Sequence, residues 1–137
     1  MPKKPKAIVL DTWALVAYLE DDAAGERVAD LIADANEDGT PLLMSVINLG
    51  EVWHLIAREI STTEAERSLL EIQQLGIKLV EADWQTAKEA AGLKVKYGMS
   101  YTDGFAAALA KQSKAHLATG DPEFAQLEKE IQVIWLK

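Results

Sequence analysis

The sequence contains no cysteine and only two histidines, His54 and His116. The absence of cysteine excludes disulfide bonds, a catalytic thiolate and zinc bound through sulfur. Two histidines are too few for a histidine-rich metal site. Any metal ion must therefore be held mainly by oxygen ligands.

Long apolar runs are also absent. No segment approaches the roughly 20 apolar residues that a membrane-spanning helix needs, and the N-terminus passes from lysines directly into a strand-like segment without a signal-peptide core. We therefore expect a cytoplasmic protein with no membrane partner. The length of 137 residues and the apolar content of 49% predict one compact domain over residues 1–137.

The sequence also has few basic residues for its acids, and its formal net charge is -8. Phosphate binding normally requires a basic surface, so this charge argues at first against nucleic acid. Most of the acidity lies in residues 20–38, where eight acids accompany a single basic residue, Arg27. Val28, Ile32 and Ala35 recur there at helical spacing, which is typical of a solvated amphipathic helix. The acidity is therefore largely one local surface, and a nucleic-acid substrate stays open.

Short apolar runs alternate with helical patterns along the chain. The runs lack polar alternation, which predicts strands that are covered on both faces, at residues 7–11, 41–45, 77–83, 116–121 and 131–136. Helical patterns occupy residues 12–20, 23–37, 46–60, 62–75, 84–97, 101–114 and a short stretch at 122–129. Strands that alternate with helices predict an α/β fold with three layers, α/β/α, and a mostly parallel sheet of roughly five strands.

Acidic residues fall beside the carboxyl ends of these predicted strands. Asp11 follows the first strand, Glu51 lies in the first turns of the helix after the second, and Asp121 follows the fourth. Asp103 heads an unusually apolar helix, with no charge between Phe105 and Ala110, that leads into the fourth strand. Since ligands bind outside the carboxyl ends of strands in an open parallel sheet, we expect these carboxylates to converge there.

Each acid also has a local explanation. Asp11 and Asp121 occupy natural helix N-cap positions, and Ser100 with Asp103 has the spacing of a capping box. Glu51 fits this explanation less well, because it faces the same side of its helix as aliphatic residues. A carboxylate in such a place has to be hydrogen-bonded, paired or bound to a metal.

The carboxylates taken together predict a cation site. Carboxylates held a few ångströms apart raise one another's pKa unless a cation neutralises them. Mg²⁺ or Mn²⁺ prefers carboxylate and water ligands, and it can activate water while neutralising a phosphate. Three further polar residues are candidates for supporting the ligands or positioning water: Thr12, Asn48 and Thr119.

Four segments occur in an order that resembles a known family: LDT at 10–12, NLGE at 48–51, SYTD at 100–103 and TGDPEF at 119–124. They resemble the motifs of the PIN-domain nucleases, and in particular of the VapC-like toxins of toxin-antitoxin pairs. The resemblance covers essentially the whole chain, and TGDPEF after an apolar strand is its most specific part. It implies a PIN-like α/β fold and a metal-dependent endoribonuclease that hydrolyses RNA phosphodiester bonds.

The resemblance also implies roles for individual residues. The acidic positions of the family match Asp11, Glu51, Asp103 and Asp121, which would be the catalytic residues. Asp11 and Asp103 would be the principal ligands of Mg²⁺ or Mn²⁺, and Glu51 and Asp121 would bind metal directly or through water; one ion and two ions both remain open. Glu123 stands where many relatives carry a further Asp; it keeps the charge on a longer arm and is assigned a supporting role.

The partners implied by the resemblance are an RNA substrate, a cognate antitoxin whose C-terminal part blocks the active-site groove, and a second copy of the chain in a homodimer. The main alternative is a PIN-like scaffold that binds RNA or a partner without cutting. Such a scaffold would be expected to lack at least one acid, and all four are present. A haloacid-dehalogenase phosphatase would need a second acid in LDTW, and a receiver domain would need an acidic pair and a late lysine that are not evident.

Overall fold

The computed structural model describes residues 4–20 and 22–137. Residues 1–3 of the predicted domain, and Asp21 of the acidic segment, lie outside them. Within the described residues the chain forms strands β1 (Ile8–Leu10), β2 (Leu42–Ser45), β3 (Ile77–Val80), β4 (His116–Thr119) and β5 (Val133–Trp135). The helices there are α1 (Thr12–Glu20), α2 (Ala23–Asp38), α3 (Val46–Glu59), α4 (Thr62–Gln73), α5 (Trp84–Tyr97), α6 (Tyr101–Ser113) and a short 3-10 helix (Pro122–Leu127).

The predicted elements are present, but all five strands are shorter than predicted. The strand predicted at 116–121 ends at Thr119, and Asp121 caps the 3-10 helix; the strands predicted at 41–45 and 131–136 are Leu42–Ser45 and Val133–Trp135. The strands predicted at 7–11 and 77–83 end at Leu10 and Val80. Asp11 and Asp83 instead accept hydrogen bonds from the first turns of α1 and α5, and a residue that caps a helix has left the strand. The last predicted helix, 122–129, is a 3-10 helix.

The sheet has the strand order β3-β2-β1-β4-β5, and every neighbouring pair is parallel. The chain runs outward from β1 to β2 and β3, and then returns to the other side of β1 as β4. The boundary between β1 and β4 is therefore the point at which the direction of winding reverses. In open parallel sheets, the crevice at the carboxyl end of such a boundary is the usual place for a ligand.

Helices cover both faces of the sheet, which confirms the predicted three layers. In β1, Ile8 and Leu10 belong to one apolar core, and Val9 belongs to the other. The first core lies under α1 to α4 and contains Leu15, Val28, Val52 and Ile72, and the second lies under α5 and α6 and contains Leu93, Ala106 and Phe124. Because side chains alternate along a strand, a strand buried on both faces contributes to two cores.

Helix α6 brings its N-terminus to the carboxyl edge of the sheet. Residues 104–110 of this helix are all buried, as the absence of charge in that stretch predicts. A helix buried on all sides holds its first turn in a fixed position, and Asp103 lies in that turn. Across the described part of the chain, no helix is both long and apolar enough to span a bilayer.

Candidate active site

Asp11 is a buried carboxylate at the end of β1, with 1% of its surface exposed. Its Oδ1 accepts a hydrogen bond from the Ala14 N–H at 2.9 Å, and its Oδ2 accepts one from the Thr119 hydroxyl at 2.5 Å. Burial raises the pKa of Asp11 to about 7, and the charge of Asp121 adds to the rise, while the hydrogen bonds from Thr119 and Ala14 oppose it. Asp11 therefore caps α1, as its position predicts, and also carries a charge that burial disfavours.

Thr119 joins the two strands at the winding boundary. Its hydroxyl donates to Asp11 and accepts the N–H of Asp121 at 3.0 Å, and the residue is fully buried. Asp121 in turn caps the 3-10 helix, because its Oδ1 accepts the N–H of Glu123 at 3.0 Å. The ends of β1 and β4 are thus linked through one side-chain hydroxyl.

Asp103 lies in the first turn of α6, three residues after the N-cap Ser100. The Ser100 hydroxyl caps this helix by accepting the Asp103 N–H at 3.1 Å. The pKa of the half-buried Asp103 is raised to about 7. Burial is the largest cause, and the negative charges of Asp121, Asp11 and Glu51 add to it. The four acids predicted from the sequence therefore lie close enough to repel one another, although they come from four separate segments.

An open cavity of about 370 Å³ lies at this edge of the sheet. Glu51, Asp103, Asp121 and Thr12 line it, while Asp11 is buried beside it. The lining also includes residues that the sequence did not single out for the site: Trp13, Glu20, Asp22 and Ser100. Helix α2 is amphipathic with an acidic exposed face, as predicted, but Glu20 and Asp22 from the start of the acidic segment add their charge to the pocket. No local pattern marks these two, because only the folded positions of Glu20 and Asp22 bring them to the pocket.

Three carboxylates form a cluster that could hold a metal ion. Asp103, Asp121 and Glu123 each offer an oxygen, and these oxygens lie within 4.8 Å of one another. Opposite ligands of an octahedral Mg²⁺ ion are about 4 Å apart, so small side-chain rotations would suit one such cation. Among the described residues, no Lys or Arg forms an ion pair with Asp103, Asp121 or Glu123. The donor set is all oxygen and lacks a protein counter-charge, which fits a hard divalent cation.

Asn48 connects the elements that carry the acids. This residue of α3 is fully buried, and its Nδ2 donates to Thr12 Oγ1 at 3.2 Å and to the carbonyl of Thr102 at 3.1 Å. The Thr12 hydroxyl donates to the main-chain carbonyl oxygen of Asn48 at 3.3 Å. Thr12 and Asn48 therefore link the helices that carry the carboxylates, as expected of supporting residues.

The structure therefore brings together every residue that the sequence nominated. Thr119 contacts two elements of the site, and Thr12 and Asn48 contact each other. Glu123, which the sequence suggested only for a supporting role, lies in the same carboxylate cluster as Asp103 and Asp121. The catalytic and metal-binding roles of these residues stay predictions.

The fold and the pocket define an α/β protein with a carboxylate-lined site at the carboxyl edge of a parallel sheet. Within this class the chain belongs to the PIN domain family, which it matches over residues 8–130. The family match supports the kind of enzyme predicted from the sequence, a nuclease. No curated protein matches the chain in sequence.

Solved structures with the same fold include toxins of toxin-antitoxin systems. VapC20 of Mycobacterium tuberculosis, described as a sarcin-ricin loop cleaving toxin, is 20% identical, with a TM-score of 0.70 over 88% of this chain and 94% of that one. VapBC2 of Rickettsia felis, bound to a DNA fragment from its promoter, is 13% identical, with a TM-score of 0.76 over 93% and 97%. A toxin-antitoxin complex of Klebsiella pneumoniae is 16% identical, with a TM-score of 0.68 over 96% and 98%. At these identities the likeness concerns the fold.

Proposed function

We propose that this protein is a metal-dependent endoribonuclease, the VapC-like toxin of a toxin-antitoxin system, which hydrolyses RNA phosphodiester bonds. The observation that carries the proposal is the convergence of Asp11, Glu51, Asp103 and Asp121 at one edge of the sheet. Burial and then the charges of the other three acids raise the pKa of Asp103 to about 7. A site built at this electrostatic cost is explained better by a bound cation than by helix capping alone, because Glu51 caps no helix.

The ligands proposed for Mg²⁺ or Mn²⁺ are Asp11, Asp103, Glu51 and Asp121, and Glu123 lies close enough to assist. A bound ion would supply charge neutralisation for the scissile phosphate and lower the pKa of water. Residues of the chain would do the positioning. Thr119 orients the Asp11 carboxylate through its hydroxyl, and Asn48 holds the start of α6 and therefore Asp103.

Protons compete with the cation at this site. Asp11 and Asp103 both have a pKa of about 7, so each is substantially protonated just below neutrality when no cation is bound. Binding of a cation requires these protons to leave. The proposed activity should therefore fall as the pH drops below 7.

The proposed partners follow from the charge of the pocket. An antitoxin that inserts an arginine could form a bidentate ion pair with these carboxylates. The guanidinium group would then take the place of the metal ion. Neighbours with this fold include toxin-antitoxin complexes, which supports an antitoxin partner. We further propose a single domain that forms a homodimer and acts in the cytoplasm.

A scaffold that binds RNA or a partner without cutting is the second candidate function. The observation in its favour is that Asp11, Asp121 and the Ser100–Asp103 pair all make ordinary capping hydrogen bonds. Caps need neither metal nor catalysis, so capping alone would leave the acids with a structural role.

Cleavage of a mixed cellular RNA pool distinguishes these functions. The purified protein is incubated with Mg²⁺, Mn²⁺ or EDTA, and Asp103→Asn and Asp11→Asn are tested in parallel. Asp83→Asn is the matched control, because Asp83 caps α5 outside the pocket. Discrete fragments that require metal, vanish in both site variants and persist in the control would support the nuclease. Equal inactivity of wild type and variants, with no metal binding, would favour the scaffold.

A further inference from the structure

An aromatic ring stands among the acids of the pocket. Trp13 lies two residues after Asp11, in the first turn of α1, and lines the same cavity as Glu51, Asp103 and Asp121. Trp13 is partly buried and packs against the first apolar core. The tryptophans outside this lining are Trp53, Trp84 and Trp135.

The ring of Trp13 is held against the backbone of Gly120. A Cβ atom added at Gly120 would lie 2.2, 2.3 and 2.6 Å from three carbon atoms of the ring, closer than real side chains approach. Gly120 is the residue between Thr119 and Asp121, so the ring rests on the loop that carries part of the acidic site. A ring held in this way loses little conformational freedom when a ligand binds, which favours affinity.

The acids and the aromatic ring would recognise different parts of a nucleotide. Carboxylates with a cation engage a phosphate, and every nucleotide offers the same phosphate. A flat ring engages a base, because unpaired bases stack on aromatic side chains in most recognition of single-stranded RNA. The pocket contains both kinds of group side by side.

We propose that Trp13 is a stacking platform for an unpaired nucleobase next to the phosphate held by the acids. The inference rests on the proposed action on RNA, and it assigns the contact with the base to Trp13. A Trp13 that served packing alone would need only apolar volume against Gly120 and the core. The two roles differ in whether a base contributes to binding.

Fluorescence of a protein whose only tryptophan is Trp13 tests the proposal directly. The other three are replaced as Trp53→Phe, Trp84→Phe and Trp135→Phe. The probes are tetraribonucleotides of a single base and a tetramer without bases, added with Mg²⁺, and the chain length of each probe is checked afterwards. We expect saturable quenching by at least one base-containing tetramer and no quenching by the tetramer without bases.

Binding by substituted proteins separates stacking from packing. Trp13→Leu should bind the quenching tetramer roughly five- to hundredfold more weakly, whereas Trp13→Phe should stay within a few-fold of wild type. Both should bind the tetramer without bases as wild type does. Trp84→Leu is the matched control, because Trp84 is 75% exposed and lies outside the cavity lining. If Trp13→Leu does not fold, the difference in quenching between the tetramers with and without bases still decides.

Equal binding of the quenching tetramer by wild type and Trp13→Leu would overturn the proposal, as would quenching by the tetramer without bases or a lack of binding to every tetramer. Failure of the nuclease proposal looks different. Trp13-dependent binding without cleavage would support the platform and favour the scaffold. Equal RNA cleavage by wild type and Trp13→Leu would support the nuclease proposal and contradict the role of Trp13 as a stacking platform.

Discussion

Asn48 donates one hydrogen bond to the carbonyl of Thr102, the residue before Asp103, and another to Thr12, the residue after Asp11. One buried amide on α3 thus joins the N-termini of α1 and α6. Since these helix starts carry Asp11 and Asp103, the separation of the two carboxylates depends on Asn48. A side chain next to the site can therefore control its geometry without a hydrogen bond to either carboxylate.

Replacing Asn48 should disturb stability and the site together. Asn48→Ala removes the two hydrogen bonds that the side-chain amide donates to Thr12 and Thr102, so we expect a loss of about 2 kcal/mol in the free energy of unfolding. We also expect at least a tenfold loss of Mn²⁺ affinity, in the range typical of groups that orient metal ligands. Chemical denaturation and calorimetric Mn²⁺ titration measure the two effects.

Thr86→Val is the matched control for Asn48→Ala. Thr86 is buried and hydrogen-bonds with Asp83 and Gln112 near the start of α5, away from the pocket lining. This variant should lose stability and keep Mn²⁺ affinity. If Asn48→Ala behaved in the same way, Asn48 would be a structural residue only.

The burial of Asp11 predicts an unusual dependence of stability on pH in metal-free buffer. Its pKa rises from 3.8 to about 7 on folding, so the folded protein holds the proton more tightly than the unfolded chain does. This contribution to stability is complete below pH 3.8 and is lost as the pH rises through 7. Residue 11 does not titrate in Asp11→Asn, so this variant keeps its stability where wild type loses it. The free energy of unfolding of Asp11→Asn relative to wild type should therefore increase between pH 4 and pH 8, by up to about 4 kcal/mol.

Asp83→Asn provides a control of opposite sign. The backbone N–H of Thr86 and then its hydroxyl lower the pKa of Asp83 below 3.8. The contribution of Asp83 to stability is therefore present above pH 3.8 and lost as the pH falls. Asp83→Asn should accordingly be less stable than wild type at neutral pH, and this difference should shrink at low pH. Thermal unfolding in EDTA at several pH values measures both trends. A parallel pH dependence for wild type and Asp11→Asn would contradict the buried, proton-binding carboxylate.

The contact between α1 and α2 depends on Gly25. A Cβ atom there would lie 2.4 Å from the carbonyl oxygen of Ala17, a backbone atom that cannot rotate away. Gly25→Ala should therefore separate the helices and lower the free energy of unfolding by about 3 kcal/mol. In Gly92→Ala the new Cβ meets no atom within 4 Å, so this control should gain up to about 1 kcal/mol of helix propensity. Denaturant midpoints decide, and a stabilised Gly25→Ala would refute the close contact.

Much of this fold can be read from local sequence patterns. The strands are short apolar runs, and caps such as Asp11 and Asp121 mark where helices begin. The approach of the four acids is also predictable, because the carboxyl ends of parallel strands share one edge of the sheet. The order of the strands is not encoded locally, because neighbours such as β1 and β4 are joined only in the folded chain.

The parts of the site that escaped prediction are long-range contacts. Thr119 donates to Asp11 across 108 residues, and no spacing rule marks such a pair. Trp13 resembles an ordinary core tryptophan in sequence, and only its contact with Gly120 places it in the wall of the pocket. Glu123 was expected to be marginal because of its longer side chain, yet the 3-10 helix directs it toward Asp103 and Asp121.

Metal binding should stabilise the protein more at pH 8 than at pH 6. Asp11 and Asp103 have pKa values of about 7, so at pH 6 an added cation must first displace protons, whereas at pH 8 the carboxylates are charged and repel one another. Saturating Mn²⁺ at pH 8, about 100 times its Kd, should add about 2.7 kcal/mol to the free energy of unfolding, and EDTA should reverse the gain. Asp103→Asn should lose most of this gain at both pH values, while Asp83→Asn keeps it. Thermal shift assays measure the difference, and an equal Mn²⁺ shift at pH 6 and pH 8, or in Asp103→Asn, would place the cation elsewhere on the molecule.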